Sequence, residues 1–199
     1  GINMIRIHPL VLSIDGLATL PAAADALFAN CDLWWESKGV IVDHSPLKSY
    51  QFDVISSEEN PWYRVKNWLG SHGFSMTSED VYLVFLSGWN HPAYGGWGGR
   101  PLAVVGDTVL RFLYSIGSPE ALVDDMLAGY IVCHEIGHTL GLPHDFNTQN
   151  SVMGYGWPSG YNFILGDLWD SLDAYRAAPM GSPAACMLGV NLGCTNDKL

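Results

Sequence analysis

Residues 134–145 read His134-Glu135-Ile136-Gly137-His138-Thr139-Leu140-Gly141-Leu142-Pro143-His144-Asp145. Three imidazoles, a carboxylate and a glycine stand there at spacings that suit a metal ion. On a helix, His134 and His138 are one turn apart, so both rings project from one face. Glu135 lies about 100° further round the axis. That offset removes it from the ligand face and leaves it beside the ion's open side. Gly141 can take the left-handed backbone that ends a helix, and Pro143 forbids simple continuation. The chain must then bend, which brings His144 back as a third nitrogen. Three nitrogens leave one corner of a tetrahedral zinc vacant, as in catalytic sites and unlike structural ones. In such a site Glu135 would take a proton from water and return it to a leaving amine. The bland alternative is a helix that carries satisfied core histidines. A second is a zinc-holding binding module without turnover, against which Glu135 argues, because a structural site gains nothing from a carboxylate there; a third is a highly restricted zinc hydrolase on the same scaffold.

These residues need a helix with a stable base, and the chain around them supplies the pattern for one. Ser118 reads as a helix cap, Pro119 as its first residue and Glu120 as a charge favoured at the positive end. The helix should run to about Leu140, with apolar Leu122, Val123, Met126, Leu127 and Ile131 making it a core element. Upstream, Met4 to Ile14 reads as a first strand, and Pro21 to Lys38 as an amphipathic helix that stops at Gly39. Val40 to Val42 and Gln51 to Ile55 suggest a second strand, or a hairpin broken around Pro46. Pro61 to Leu69 predicts a short helix, and Val81 to Leu86 a central buried strand. The Gly- and aromatic-rich stretch from Ser87 to Gly99 predicts irregular loop. Pro101 to Val105 and Thr108 to Leu113 predict two short strands. Beyond His144 irregular chain is expected, then a last helix from about Leu165 to Ala178.

With 199 residues, 48% of them hydrophobic, the chain suffices for one catalytic domain. It divides into an N-terminal subdomain, 1–141, with sheet and active helix, and a smaller irregular C-terminal one, 142–199. The fold class predicted is α/β (α+β), a mixed twisted sheet with packed helices. A net charge of −11 argues against nucleic acid as partner. No run is apolar enough for a membrane span, and Ile5 to Leu12 reads as strand rather than leader. Cys186 and Cys194 read as partners in a short disulfide loop, which points to a secreted protein. Cys31 and Cys133 fall on helices and read as buried thiols, with a bridge between them as the alternative.

With its second motif, the chain resembles the metzincin clan of zinc endopeptidases. Ser151-Val152-Met153-Gly154-Tyr155 is similar to the clan's Met-turn, whose methionine sits beneath the zinc ligands. The resemblance implies a Zn2+ cofactor held by His134, His138 and His144, Glu135 as general base, and a protein or peptide substrate, with the chain acting as a monomer. It implies that Tyr155 stabilises charge in the transition state, as in astacins and serralysins. Gly141, Asp145 and Met153 would support the site; Asp145 resembles adamalysins, whose following cysteines are absent here, so the family within the clan stays open. The clan's edge strand pairs with extended substrate, and residues 102–105 are the candidate for it. The helix from Ser118 and the loop with Gly156, Trp157 and Pro158 would wall the side-chain pocket, which Trp157 and Tyr161 could shape. No calcium site is expected, since only Asp107 offers a carboxylate near that loop.

Overall fold

Apolar residues alternate along the first strand, and that alternation builds two cores, one on each side of a sheet. The computed structural model describes residues 4–115, 121–155, 161–166 and 195–198. Strand β1 (Met4–Ser13) sends Ile5, Ile7 and Val11 to one face and Leu10 and Leu12 to the other. Strand β4 (Asp80–Ser87), the predicted central strand, does the same: Val81, Leu83 and Phe85 face one core, Tyr82, Val84 and Leu86 the second. The first core is closed by helices α1 (Ala24–Glu36), α3 (Asp107–Ser115) and α4 (Ala121–Thr139). Helix α2 (Trp62–Ser71) covers the second with Trp62, Val65 and Leu69, and the Trp62 indole donates to the Leu102 carbonyl at 2.7 Å. A strand covered on both faces needs no polar alternation, which explains the unbroken apolar run in β4.

The architecture is mixed α/β, with sheet order β2-β1-β4-β6-β5-β7 and β3 paired beside β2 on β1. Strands β2 (Ile41–His44) and β3 (Lys48–Gln51) lie end to end, both parallel to β1, so no hairpin forms around Pro46. Residues 52–55, expected to extend the strand, are irregular.

Three further expectations are corrected. Thr108 to Leu113 is not a strand but most of α3. Asn90 Oδ1 accepts the Thr108 amide at 3.0 Å, capping that helix, and Val109, Leu110 and Leu113 repeat at helical spacing. Part of the Ser87–Gly99 stretch is not loop but strand β5 (Tyr94–Gly98). Its glycines leave room for another element to approach closely, the one setting in which a strand gains from them. Finally, β6 (Leu102–Val105) is an interior strand and not the edge, because β4 pairs with it in parallel and β5 antiparallel. Outside β5 lies β7 (Thr195–Lys198), also antiparallel.

The expected helix from Leu165 to Ala178 lies outside the described residues beyond Gly166, as do Cys186, Cys194, and the cap Ser118-Pro119-Glu120. Cys31 and Cys133 are free, buried thiols between α1 and α4, so the alternative bridge is not formed. Burial pushes the Cys133 thiol well up, and the neighbouring Cys31 adds to it. Among the described residues no helix is long and apolar enough to cross a membrane.

At the entry to β4, Asp80 is buried and ties three segments together. Burial alone would raise its pKa, but hydrogen bonds from His8 at 2.9 Å, Thr77 Oγ1 at 2.7 Å and Ser75 at 2.8 Å outweigh this and hold it at about 2. A carboxylate with a depressed folded pKa stabilises the fold above its unfolded pKa, and the contribution fades as pH falls toward the folded value. Asp80→Asn is therefore expected to lose about 2 kcal/mol at pH 6 and to match the parent near pH 2, as read by urea unfolding at each pH.

Candidate metal centre

Helix α4 ends where the spacing of its glycine requires. Gly141 has φ +94°, the Leu142 amide donates to Gly137 O at 3.0 Å, and the Gly141 amide donates to His138 O at 3.0 Å. These two bonds are the Schellman arrangement, which satisfies the last carbonyls while reversing the chain. The reversal does more than stop the helix. Its Leu142 carbonyl accepts a hydrogen bond from His138 Nδ1 at 2.7 Å, and the Val152 carbonyl accepts one from His134 Nδ1 at 2.6 Å. A carbonyl can only accept, so both Nδ1 atoms carry the proton and both Nε2 lone pairs are available to a metal.

Those two Nε2 atoms face one another at 3.1 Å. Opposed lone pairs repel, and a cation between them turns repulsion into ligation. The ligand nitrogens of His134, His138 and His144 all lie within 4.8 Å of one another. Zinc–nitrogen bonds of about 2.0–2.1 Å in a tetrahedron ask for nitrogens only slightly further apart than the close pair. His134 and His138 are buried and His144 is half-buried, so the triad is set into the fold and is not a surface patch. The donor set fits zinc.

The turn at 151–154 is built to hold the first ligand. Tyr130 hydroxyl donates to Ser151 O at 3.1 Å and also to Gly154 O, and its ring stacks over His134 with centroids 6.0 Å apart. The Asp145 amide donates to Met153 O at 3.0 Å, which joins the His144 segment to the same turn. Met153 is fully buried against α4, where a Cβ on Gly137 would meet its sulfur at 2.3 Å. Asp145 Oδ1 accepts the amides of Asn147 and Thr148, both at 3.1 Å, shaping the loop that follows the third ligand.

On the other side of α4 lies β5. An ideal Cβ on Gly98 would stand 2.2 Å from His138 Cβ, and one on Gly96 would stand 3.2 Å from Glu135 Oε1. Glu135 itself is only 3% exposed, held between α4 and β5. Tyr155 lies beside the ligands, its ring 5.0 Å from His144 and 6.2 Å from His134.

His134, Glu135, His138, Gly141, His144, Asp145, Met153 and Tyr155 therefore gather around one centre, with Tyr161 apart from it. Tyr161 packs behind α4, its ring 5.8 Å from Phe163 and its hydroxyl 4.0 Å from Cys31 Sγ. Gly156, Trp157 and Pro158 lie outside the described residues. Four contributors went unread in the sequence. Tyr130 precedes His134 by one helical turn, a periodicity that pointed to it. Gly96 and Gly98 carried an alternate-glycine signal that reads equally as loop. Phe146, 63% exposed, lies 5.1 Å from His144 and 5.0 Å from Tyr155 by ring centroids, and nothing in its spacing marked it.

A family model described as Met-zincin matches residues 117–153, the segment that carries the three histidines and the methionine. Fold and site together are metzincin-like, with a histidine triad that could hold a metal ion inside the matched segment. Among solved structures, metalloproteinase-II from Bacteroides fragilis is similar in fold, with a TM-score of 0.55 and 16% identity, over 86% of this chain and 52% of that one. Archaemetzincin from Methanopyrus kandleri matches with a TM-score of 0.48 and 19% identity, over 80% of this chain and 90% of that one. A zinc-dependent peptidase from Methanocorpusculum labreanum matches with a TM-score of 0.46 and 12% identity, over 74% and 87% of the two chains. No curated protein sequence matches the chain.

Proposed function

We propose that the protein is a zinc endopeptidase that cleaves extended polypeptide, with Glu135 as general base. The observation that carries this reading is the Glu135 carboxylate, one residue from the first ligand and pressed against β5 at Gly96, beside the three converging nitrogens. Bound zinc supplies Lewis-acid polarisation of a carbonyl and brings the pKa of a water to about 7. Glu135 would take the proton of an attacking water and pass it to the leaving amine. Its burial keeps competing solvent away while it does so. Tyr155, beside His144, donates its phenol to the oxygen on which charge develops. Met153 acts as the floor of a Met-turn, keeping the 151–154 segment, and through Val152 the ring of His134, in one orientation.

The test is hydrolysis of quenched fluorescent casein by protein of measured zinc content. Cleavage is expected with one zinc per chain, to stop on chelation and to return on adding zinc alone. A protein that takes up one zinc and leaves casein and a mixed peptide library intact would instead be the binding module.

A further inference from the structure

The outer edge of β5 belongs to the strand whose glycines lie against the metal centre. Gly99 exchanges hydrogen bonds with Leu102, at 3.0 and 2.9 Å, and Gly95 O accepts the Gly106 amide at 2.9 Å. Odd-numbered residues of this strand thus spend their backbone groups on β6 and its flank. Strand alternation then turns the amides and carbonyls of Gly96 and Gly98 the opposite way, to the outer edge. These same two glycines pack on Glu135 and His138. An extended polypeptide that pairs with this edge therefore runs past the base and the second ligand, within one strand spacing of about 4.8 Å.

That place is taken by the chain itself. Strand β7 pairs antiparallel with β5, Asp197 opposite Gly96 and Thr195 opposite Gly98. We propose that Thr195–Lys198 is a self-supplied occupant of the substrate's strand position, and that it must leave β5 before a polypeptide can be cut. The proposal rests on the peptidase reading above. The ladder between β7 and β5 carries a register irregularity between Tyr94 and Gly96, and β7 stands last in the sheet order, so its departure breaks one ladder and leaves those of β4 and β6 intact. Substrate competes with it for the same backbone groups, so the apparent KM is the intrinsic value divided by the fraction of molecules that are open.

Asp197→Pro in the full chain removes the amide that faces Gly96, whereas Asp197→Ala keeps it. With zinc bound, Asp197→Pro is expected to lower the KM for quenched casein about fivefold at unchanged kcat, the effect of one net hydrogen bond. Asp197→Ala should match the parent. Hydrogen exchange gives a reading independent of turnover. Amides of Gly96 and Gly98 should exchange faster in Asp197→Pro while those of Tyr82–Phe85 stay protected. In the parent, the same two glycine amides should already exchange by local opening, faster than β4. If they exchange as slowly as β4, or if Asp197→Pro fails to fold, β7 is a structural strand and the proposal is wrong. Equal or higher KM in a folded Asp197→Pro with its glycine amides released also overturns it. Absence of hydrolysis from every zinc-loaded form sinks the peptidase reading and this proposal together, whereas equal hydrolysis by all sinks this proposal alone.

Discussion

Glu135→Gln is expected to keep one zinc per chain and to lose about 10³-fold in kcat on casein, with KM little changed. Glutamine has the shape of glutamate and fills the same space between α4 and Gly96, so the packing there survives. It cannot accept a proton at neutral pH. The three ring nitrogens remain in place, and their orientation comes from Leu142 and Val152 carbonyls that the substitution does not touch. Zinc content by atomic absorption and kcat on the same sample separate the two effects. A variant that binds zinc and cleaves at the parent rate would show that the proton goes elsewhere. A variant that loses zinc would make Glu135 part of the metal's support.

Gly98→Ala should weaken zinc binding about 10- to 100-fold, the size seen when the packing and hydrogen bonds behind a ligand are disturbed. The added Cβ would fall 2.2 Å from Cβ and 2.6 Å from Cγ of His138. His138 cannot step aside, since it is 1% exposed and bonded to the Leu142 carbonyl. Either β5 lifts from α4 or the ring turns out of the nitrogen cluster. Overpacking of this kind destabilises a fold by about 1–3 kcal/mol, so thermal unfolding should also fall. Competition with a zinc-sensitive dye reads the affinity. Affinity unchanged from the parent would mean that the β5–α4 contact is looser than its geometry states.

How much of this was legible beforehand depends on how far apart in the chain the cooperating residues are. β1, α1, α2 and β4 followed from runs of apolar residues at a single period, and their bounds moved by only a few positions. The error at Thr108 to Leu113 has a definite cause: β-branched and aromatic residues suggested a strand, but the cap that makes it a helix comes from Asn90, well upstream. The error at β5 has another. Glycine weakens a strand taken alone, and only the close approach of α4 makes Gly96 and Gly98 the residues that fit.

The metal centre was readable because its chemistry is local. His134, Glu135 and His138 share one helix, and Gly141 with Pro143 dictates the bend that returns His144, so eleven successive positions specify the donor set through backbone geometry alone. Strand order is not local in that sense. Whether Leu102–Val105 or Tyr94–Gly98 forms the rim above Glu135, and what pairs outside it, depends on contacts between segments distant in sequence, each with similar intrinsic preference for extended backbone. Those choices are made by burial of both sheet faces and by the steric room that two glycines leave against a helix, and they become visible only once the chain has folded.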